Sequence, residues 1–113
     1  MKISDLSEFP GLEVIVPGSL ERDVTGGVAG DLLSCIMAEA APGMVWVTIQ
    51  IHLNVAAVAV LRDVCGIILA SGRRPNEDLV EKCREESLFL AVCASSAFDV
   101  CAELHALGLR GSV

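Results

Sequence analysis

The chain has no tyrosine, one tryptophan and three phenylalanines. Its core cannot be built around stacked rings, so the 53% of residues that are hydrophobic must fill it, mainly as Val, Leu, Ile and Ala. That proportion excludes a disordered chain, which lacks the apolar surface to offset the entropy of ordering. Basic residues are scarce, 8 against 15 acids, for a net charge of −7. A nucleic-acid surface needs clustered Lys and Arg, so that class of partner is excluded. Long apolar runs are missing as well. The longest, Leu53–Leu61, is broken by Asn54 and falls far short of the ~20 residues that cross a bilayer. Met1–Pro10 carries Asp5 and Glu8 beside a single lysine, unlike the basic start of a secretory signal. The expected setting is cytoplasmic, with no membrane partner.

The cysteines lack the spacing of a metal site. There are five, Cys35, Cys65, Cys83, Cys93 and Cys101, and no two stand as Cys-x-x-Cys, the arrangement zinc and iron–sulfur centres favour. An odd count without a secretory signal points to reduced thiols. Cys35, Cys65, Cys83 and Cys101 fall within apolar helical patterns and read as buried small hydrophobes.

What is present is an alternation of strands and helices along 113 residues, the size of one domain spanning 1–113. Pro10-Gly11, Pro17-Gly18 and Pro42-Gly43 punctuate it. Four apolar runs read as strands: Leu12–Val16, Met44–Ile51, Gly66–Ala70 and Leu88–Val92. After a short turn at Ser4–Phe9, helices are expected over Val28–Ala41, His52–Val64, a segment capped by Asn76, and a last one capped by Ser95 or Ser96 that ends at Gly108. Such alternation implies right-handed crossovers and a mostly parallel sheet of about four strands in a three-layer α/β/α arrangement. The helices His52–Val64 and Ala97–Leu107 are apolar on more than one face and need cover on both sides. A homodimer is the simplest cover.

Residues 23–34, Asp-Val-Thr-Gly-Gly-Val-Ala-Gly-Asp-Leu-Leu-Ser, set a glycine pair and acids between a strand-like run and a helix-like run. Gly26 and Gly27 can take positive φ and admit a close approach to the backbone. Amides opening the next helix would face the same space, which suits a carboxylate or phosphate. Ligands in open parallel sheets bind at the carboxyl ends of the strands. On this reading Asp23, Thr25, Gly26, Gly27 and Asp31 leave the first strand. Thr48, Gln50, His52 and Asn54 leave the second, and Ser71, Arg73, Ser95 and Ser96 the later two. They are expected to converge on one polar edge.

The stretch Asp23–Gly27 resembles the pentapeptide of the DRTGG domain family in four of five places, with Val24 at the position of the family's arginine and Arg22 one residue earlier. Gly30–Ser34 and Trp46–Asn54 look like stand-alone members of that family. The resemblance runs from about Val14 to Leu109. It implies an α/β layer fold similar to the N-terminal domain of HPr kinase. It also implies regulatory company, since such domains occur beside CBS domains in some pyrophosphatases. Stand-alone versions are associated with iron-hydrogenase systems.

The expected function is a non-catalytic regulatory domain that binds a small anionic ligand, an adenine nucleotide being suggested by the CBS company, or a protein partner. One alternative is a ligand-free assembly module in a hydrogenase-related system. Another is a phosphoryl- or proton-transfer enzyme centred on His52, with Asp23 or Asp31 orienting the ring. The glycine loop lacks the Gly-Lys-Ser/Thr ending of a P-loop, and no Ser or Cys stands in a nucleophile elbow. No cofactor is expected, and a metal held by Asp23, Asp31 and His52 is weighed and set aside.

Overall fold

Met44–Thr48 (β3), Gly66–Leu69 (β4) and Phe89–Cys93 (β5) are buried along their whole length. Strands in the middle of a parallel sheet covered on both faces must be apolar throughout. The computed structural model describes residues 1–111. The three central strands are flanked by Leu12–Val16 (β1) and Gly26–Ala29 (β2), giving the order β1-β5-β4-β3-β2. β2, β3, β4 and β5 run parallel, and β1 joins β5 antiparallel. The expected mostly parallel α/β sheet is present, with five strands where four are anticipated.

The additional strand is the glycine motif itself. Gly26–Ala29 pairs with Met44–Val47, where the sequence reading places the end of a polar loop and the start of a helix. The helix Leu33–Glu39 (α2) begins only after the turn at Gly30–Leu32. Val28, expected on the helix, stands opposite Trp46 in the ladder. A helical reading of Val28 follows its apolar neighbours, but pairing with β3 satisfies the glycines' backbone groups better than an unsupported helix end could.

Alternation along each strand sends its side chains to two cores. On one face α2, Leu53–Leu61 (α3) and Glu77–Glu85 (α4) set Ile36, Val55 and Leu79 against Trp46, Ile67 and Leu90. On the other, the single turn Ile3–Leu6 (α1) and Ala97–Ala106 (α5) set Leu6 and Leu104 into a core with Val45 and Ile68. Trp46 is fully buried, and its indole Nε1 donates to Gly30 O at 2.9 Å, fastening the β2–α2 turn to the sheet. Truncating it to alanine would cost about 3–5 kcal/mol by the usual cavity and transfer terms.

α3, α4 and α5 end alike. Asp63, Ser87 and Gly108 take positive φ just past each helix, and the next amide (Val64, Leu88, Leu109) returns to a carbonyl five residues back. This closure satisfies carbonyls that the helix leaves without partners. At the start of α5, Ser96 Oγ accepts from Asp99 N at 3.3 Å. Asn76 stands before α4 without a side-chain cap bond, and its amide turns to His52 instead. Among the described residues no helix is long and apolar enough to cross a membrane.

Candidate functional site

The expected polar edge is divided between the two ends of the sheet. β1 runs antiparallel, so its carboxyl end lies beside the start of β5: Val16 faces Leu90. The loop that follows therefore arrives at the amino ends of the parallel strands. Gly26 pairs with Met44, the first residue of β3, whereas Thr48 is the last. Asp23, Thr25, Gly26 and Gly27 thus sit at one edge and Asp31, Thr48, Gln50, His52 and Asn54 at the other.

At the amino edge the motif residues bind other parts of the chain. Asp23 meets Lys2 Nζ at 3.2 Å. Thr25 Oγ1 donates to Pro42 O at 2.8 Å, and its amide donates to Gly43 O at 2.9 Å. Val24, at the family's arginine position, is buried in the α5-side core. Arg22 Nη2 reaches both Asp63 O at 2.7 Å and Asp63 Oδ1 at 2.9 Å, clamping the turn after α3. Neither Gly26 nor Gly27 has positive φ. Gly27 N donates to Arg110 O at 3.0 Å, and a Cβ on Gly26 would fall 2.6 Å from that same oxygen. Gly26 is needed because the C-terminal segment lies against it, and no loop curvature is involved.

At the carboxyl edge Asp31, Thr48 and Gln50 do come together. Asp31 Oδ1 accepts from Thr48 Oγ1 and from Ile49 N, each at 2.9 Å. Gln50 Nε2 donates to Asp31 O at 3.1 Å, and Gln50 N donates to Thr48 Oγ1 at 3.2 Å. The carboxylate closes the β2–α2 turn over β3. It does not serve the amino end of α2, whose first turn has no acid. His52 Nδ1 lies 3.1 Å from Asn76 Nδ2. Asn54 is exposed in the first turn of α3. The later loops are joined by Ser71 N donating to Ser95 O at 2.8 Å.

This arrangement bears on the chemical readings. Asp31 is held by Thr48 and Ile49, and Asp23 lies at the far end of the strands with Lys2. Neither carboxylate orients His52, so the relay expected for a His52-centred reaction is not assembled. Among the described residues no group of three His, Cys, Asp or Glu could hold a metal. Cys65 and Cys83 are buried as expected and Cys93 is buried as well, but Cys35 is exposed and Cys101 only half-buried, against expectation. Burial pushes the Cys65 thiol up to about 11 and the Cys83 thiol to about 12, so both stay protonated and inert at neutral pH.

The concave surface lies elsewhere, in a place the sequence reading misses. Between β2 and α5 runs an apolar cavity of about 210 Å³. Gly27, Ala29 and Val47 line it from the strands and Leu104 from the helix, with His105 and Arg110 also contributing. Gly27 is not strained there: a Cβ would meet Val45 O at 3.7 Å, an ordinary contact. The cavity adjoins a shallow hollow of about 470 Å³ beside Phe98, which is 82% exposed. Arg110 Nη1 donates to His105 O and Leu109 O, both at 2.9 Å. The available signal was the row Phe98, Cys101, Ala102, His105 at helical spacing, but it points to a groove only once Gly27–Ala29 is known to be a strand.

No protein-family model matches the chain, and none of the curated proteins does. The fold is shared with the crystal structure of the CBS and DRTGG domains of the regulatory region of Clostridium perfringens pyrophosphatase, complexed with the activator diadenosine tetraphosphate. The TM-score is 0.64 at 14% sequence identity, covering 96% of this chain and 46% of that one. This chain therefore spans about half the length of the protein it matches. The likeness is one of fold, and it carries the DRTGG-like architecture expected from the motif.

Proposed function

We propose that this chain is a non-catalytic regulatory module that works by binding, and that its working surface is the side formed by β2 and α5. The observation that carries this reading is the apolar groove between those elements. Of the polar residues first expected to form a site, Asp31 and Thr48 bind each other, and Asp23 and Thr25 bind Lys2 and Pro42 O. A groove that is apolar along its length, with His105 and Arg110 among its lining residues, suits a flat apolar group bearing an anionic tail. An adenine nucleotide fits that description, and the fold-sharing regulatory region is known bound to a diadenosine activator.

The test is thermal unfolding with AMP, ATP and diadenosine tetraphosphate. A ligand at about a hundredfold excess over its Kd stabilises by about 2.7 kcal/mol, a rise of roughly 10 °C in a domain of this size. Gly27→Val should abolish the rise, because valine fills the groove while the backbone there tolerates a Cβ. No rise with any of the three would contradict the nucleotide reading. The ligand-free assembly reading is favoured by a separate observation, the exposure of Phe98 beside the groove. A hydrogenase-related client for that assembly is proposed on the motif resemblance alone.

A further inference from the structure

We infer that Gly108–Gly111 is a gate on the β2–α5 groove: a strap that opens locally at the edge of β2 and closes over the bound ligand, bringing Arg110 to its anionic end. The inference rests on that groove being the working surface and names how entry to it is controlled.

After α5 the chain turns at Gly108, where φ is +103° and, among the described residues, a Cβ would meet nothing within 4 Å. Leu109 anchors the turn: it is buried in the α5-side core, and its amide donates to Leu104 O at 3.2 Å. Arg110 and Gly111 are exposed and lie against the outer edge of β2. Among the described residues one backbone hydrogen bond ties them to the sheet, from Gly27 N to Arg110 O at 3.0 Å. A segment with an exposed hydrogen bond and little buried surface opens without the rest of the fold. β2 and α5 have no such freedom. One is laddered to β3, and the other sets Val100 and Leu104 into the core.

Size makes the opening necessary. Leu109, Arg110 and Gly111 form one wall of the groove. With that wall in place the volume is about 210 Å³, below the roughly 300–1,000 Å³ of small-molecule sites. A nucleotide therefore enters only where a wall gives way, and the strap is the wall that gives. Charge explains what closure adds. The groove reaches His105 and Leu109 at the carboxyl end of α5, where helix carbonyls repel an anion. Arg110 Nη1 stands on the carbonyls of those two residues, and among the described residues its Nε and Nη2 donate to nothing. A phosphate takes such donors from a guanidinium in charge-assisted hydrogen bonds. Among the described residues no acid lines the groove to compete for them.

The experiment is amide hydrogen exchange by NMR on the full chain, without and with AMP, beside titrations of Gly26→Ala and Arg110→Ala. In the free protein the Gly27 amide should exchange at a rate indifferent to low urea, while amides of β3 and β4 follow global unfolding. AMP at about a hundredfold excess over its Kd should slow Gly27 exchange roughly a hundredfold. Gly26→Ala presses a Cβ on Arg110 O, yet Gly26 does not line the groove; it should weaken AMP about fivefold or more. Arg110→Ala should erase the preference for AMP over adenosine, and a preference retained would overturn the role given to Arg110. A Gly27 amide that exchanges only by global unfolding overturns the gate, whether or not AMP binds. AMP binding that leaves Gly27 exchange and the Gly26→Ala affinity unchanged overturns it while the nucleotide reading stands. If AMP does not bind, the nucleotide reading falls, and local exchange at Gly27 in the free protein still supports the gate. Should Gly26→Ala fail to fold, the wild-type exchange carries the test.

Discussion

Gly26 and Gly27 sit side by side in one strand and differ in what they tolerate. A Cβ at Gly26 would lie 2.6 Å from Arg110 O, whereas at Gly27 the nearest atom is 3.7 Å away. Gly26→Ala must push the C-terminal segment off the edge, an overpacking cost of about 1–3 kcal/mol. Gly27→Ala should change stability by no more than about 0.5 kcal/mol. Urea unfolding midpoints separate the two, and equal losses would contradict this account of the pair. Nothing local in the sequence distinguishes them, because the group that demands Gly26 belongs to the opposite end of the chain. Thr48 and Gln50 were legible at the carboxyl edge, but Asp31 was assigned to the loop after β1 and reaches them only because it follows β2, a strand the sequence reading missed. Their hydrogen bonds show that the three serve one another. His52 was legible as a helix-entry residue, but its partner Asn76 was taken for a cap.

At the scale of elements, the central strands were readable because burial on both faces leaves a continuous apolar run. β2 was not, since two glycines in four residues carry no strand preference and the pairing with β3 is a tertiary event. The direction of β1 was equally hidden. A short apolar run reads the same in a parallel or antiparallel neighbour, and that one ambiguity moved Asp23, Thr25, Gly26 and Gly27 to the wrong edge of the sheet. Helix ends were clearer at Gly108 than at Ser87, which holds φ 52° without being glycine. A left-handed conformation costs a non-glycine residue roughly 1–2 kcal/mol, partly offset by the chain entropy glycine would add. Ser87→Gly should therefore raise stability by about 0.5–1 kcal/mol, seen as a rise of a few degrees in Tm. A fall would mean that the Ser87 side chain supports the turn in a way its geometry does not reveal.

For the whole molecule, exposed apolar side chains occur on both faces of the sheet, Leu53, Val60 and Leu61 on α3 and Phe98 on α5, and the clearest contrast in charge is between α4 and the β2–α5 groove. α4 carries Glu77, Asp78, Glu81 and Glu85 on the face of the sheet opposite α5, while the lining of the β2–α5 groove has no acid. α4 is built to stay in water and the groove to be covered. Burying the latter would gain roughly 25 cal/mol per Å² of apolar area. Amide hydrogen exchange, compared at low and high protein concentration and with nucleotide added, reads directly which side is covered. The prediction is slowed exchange at Val28 and Ala29 and along Phe98–His105, with Gln50–Asn54 and Ser71–Asn76 unchanged. Slowed exchange at Gln50–Asn54 and Ser71–Asn76, with none at Val28 and Ala29, would place the working surface at the carboxyl edge and contradict the account.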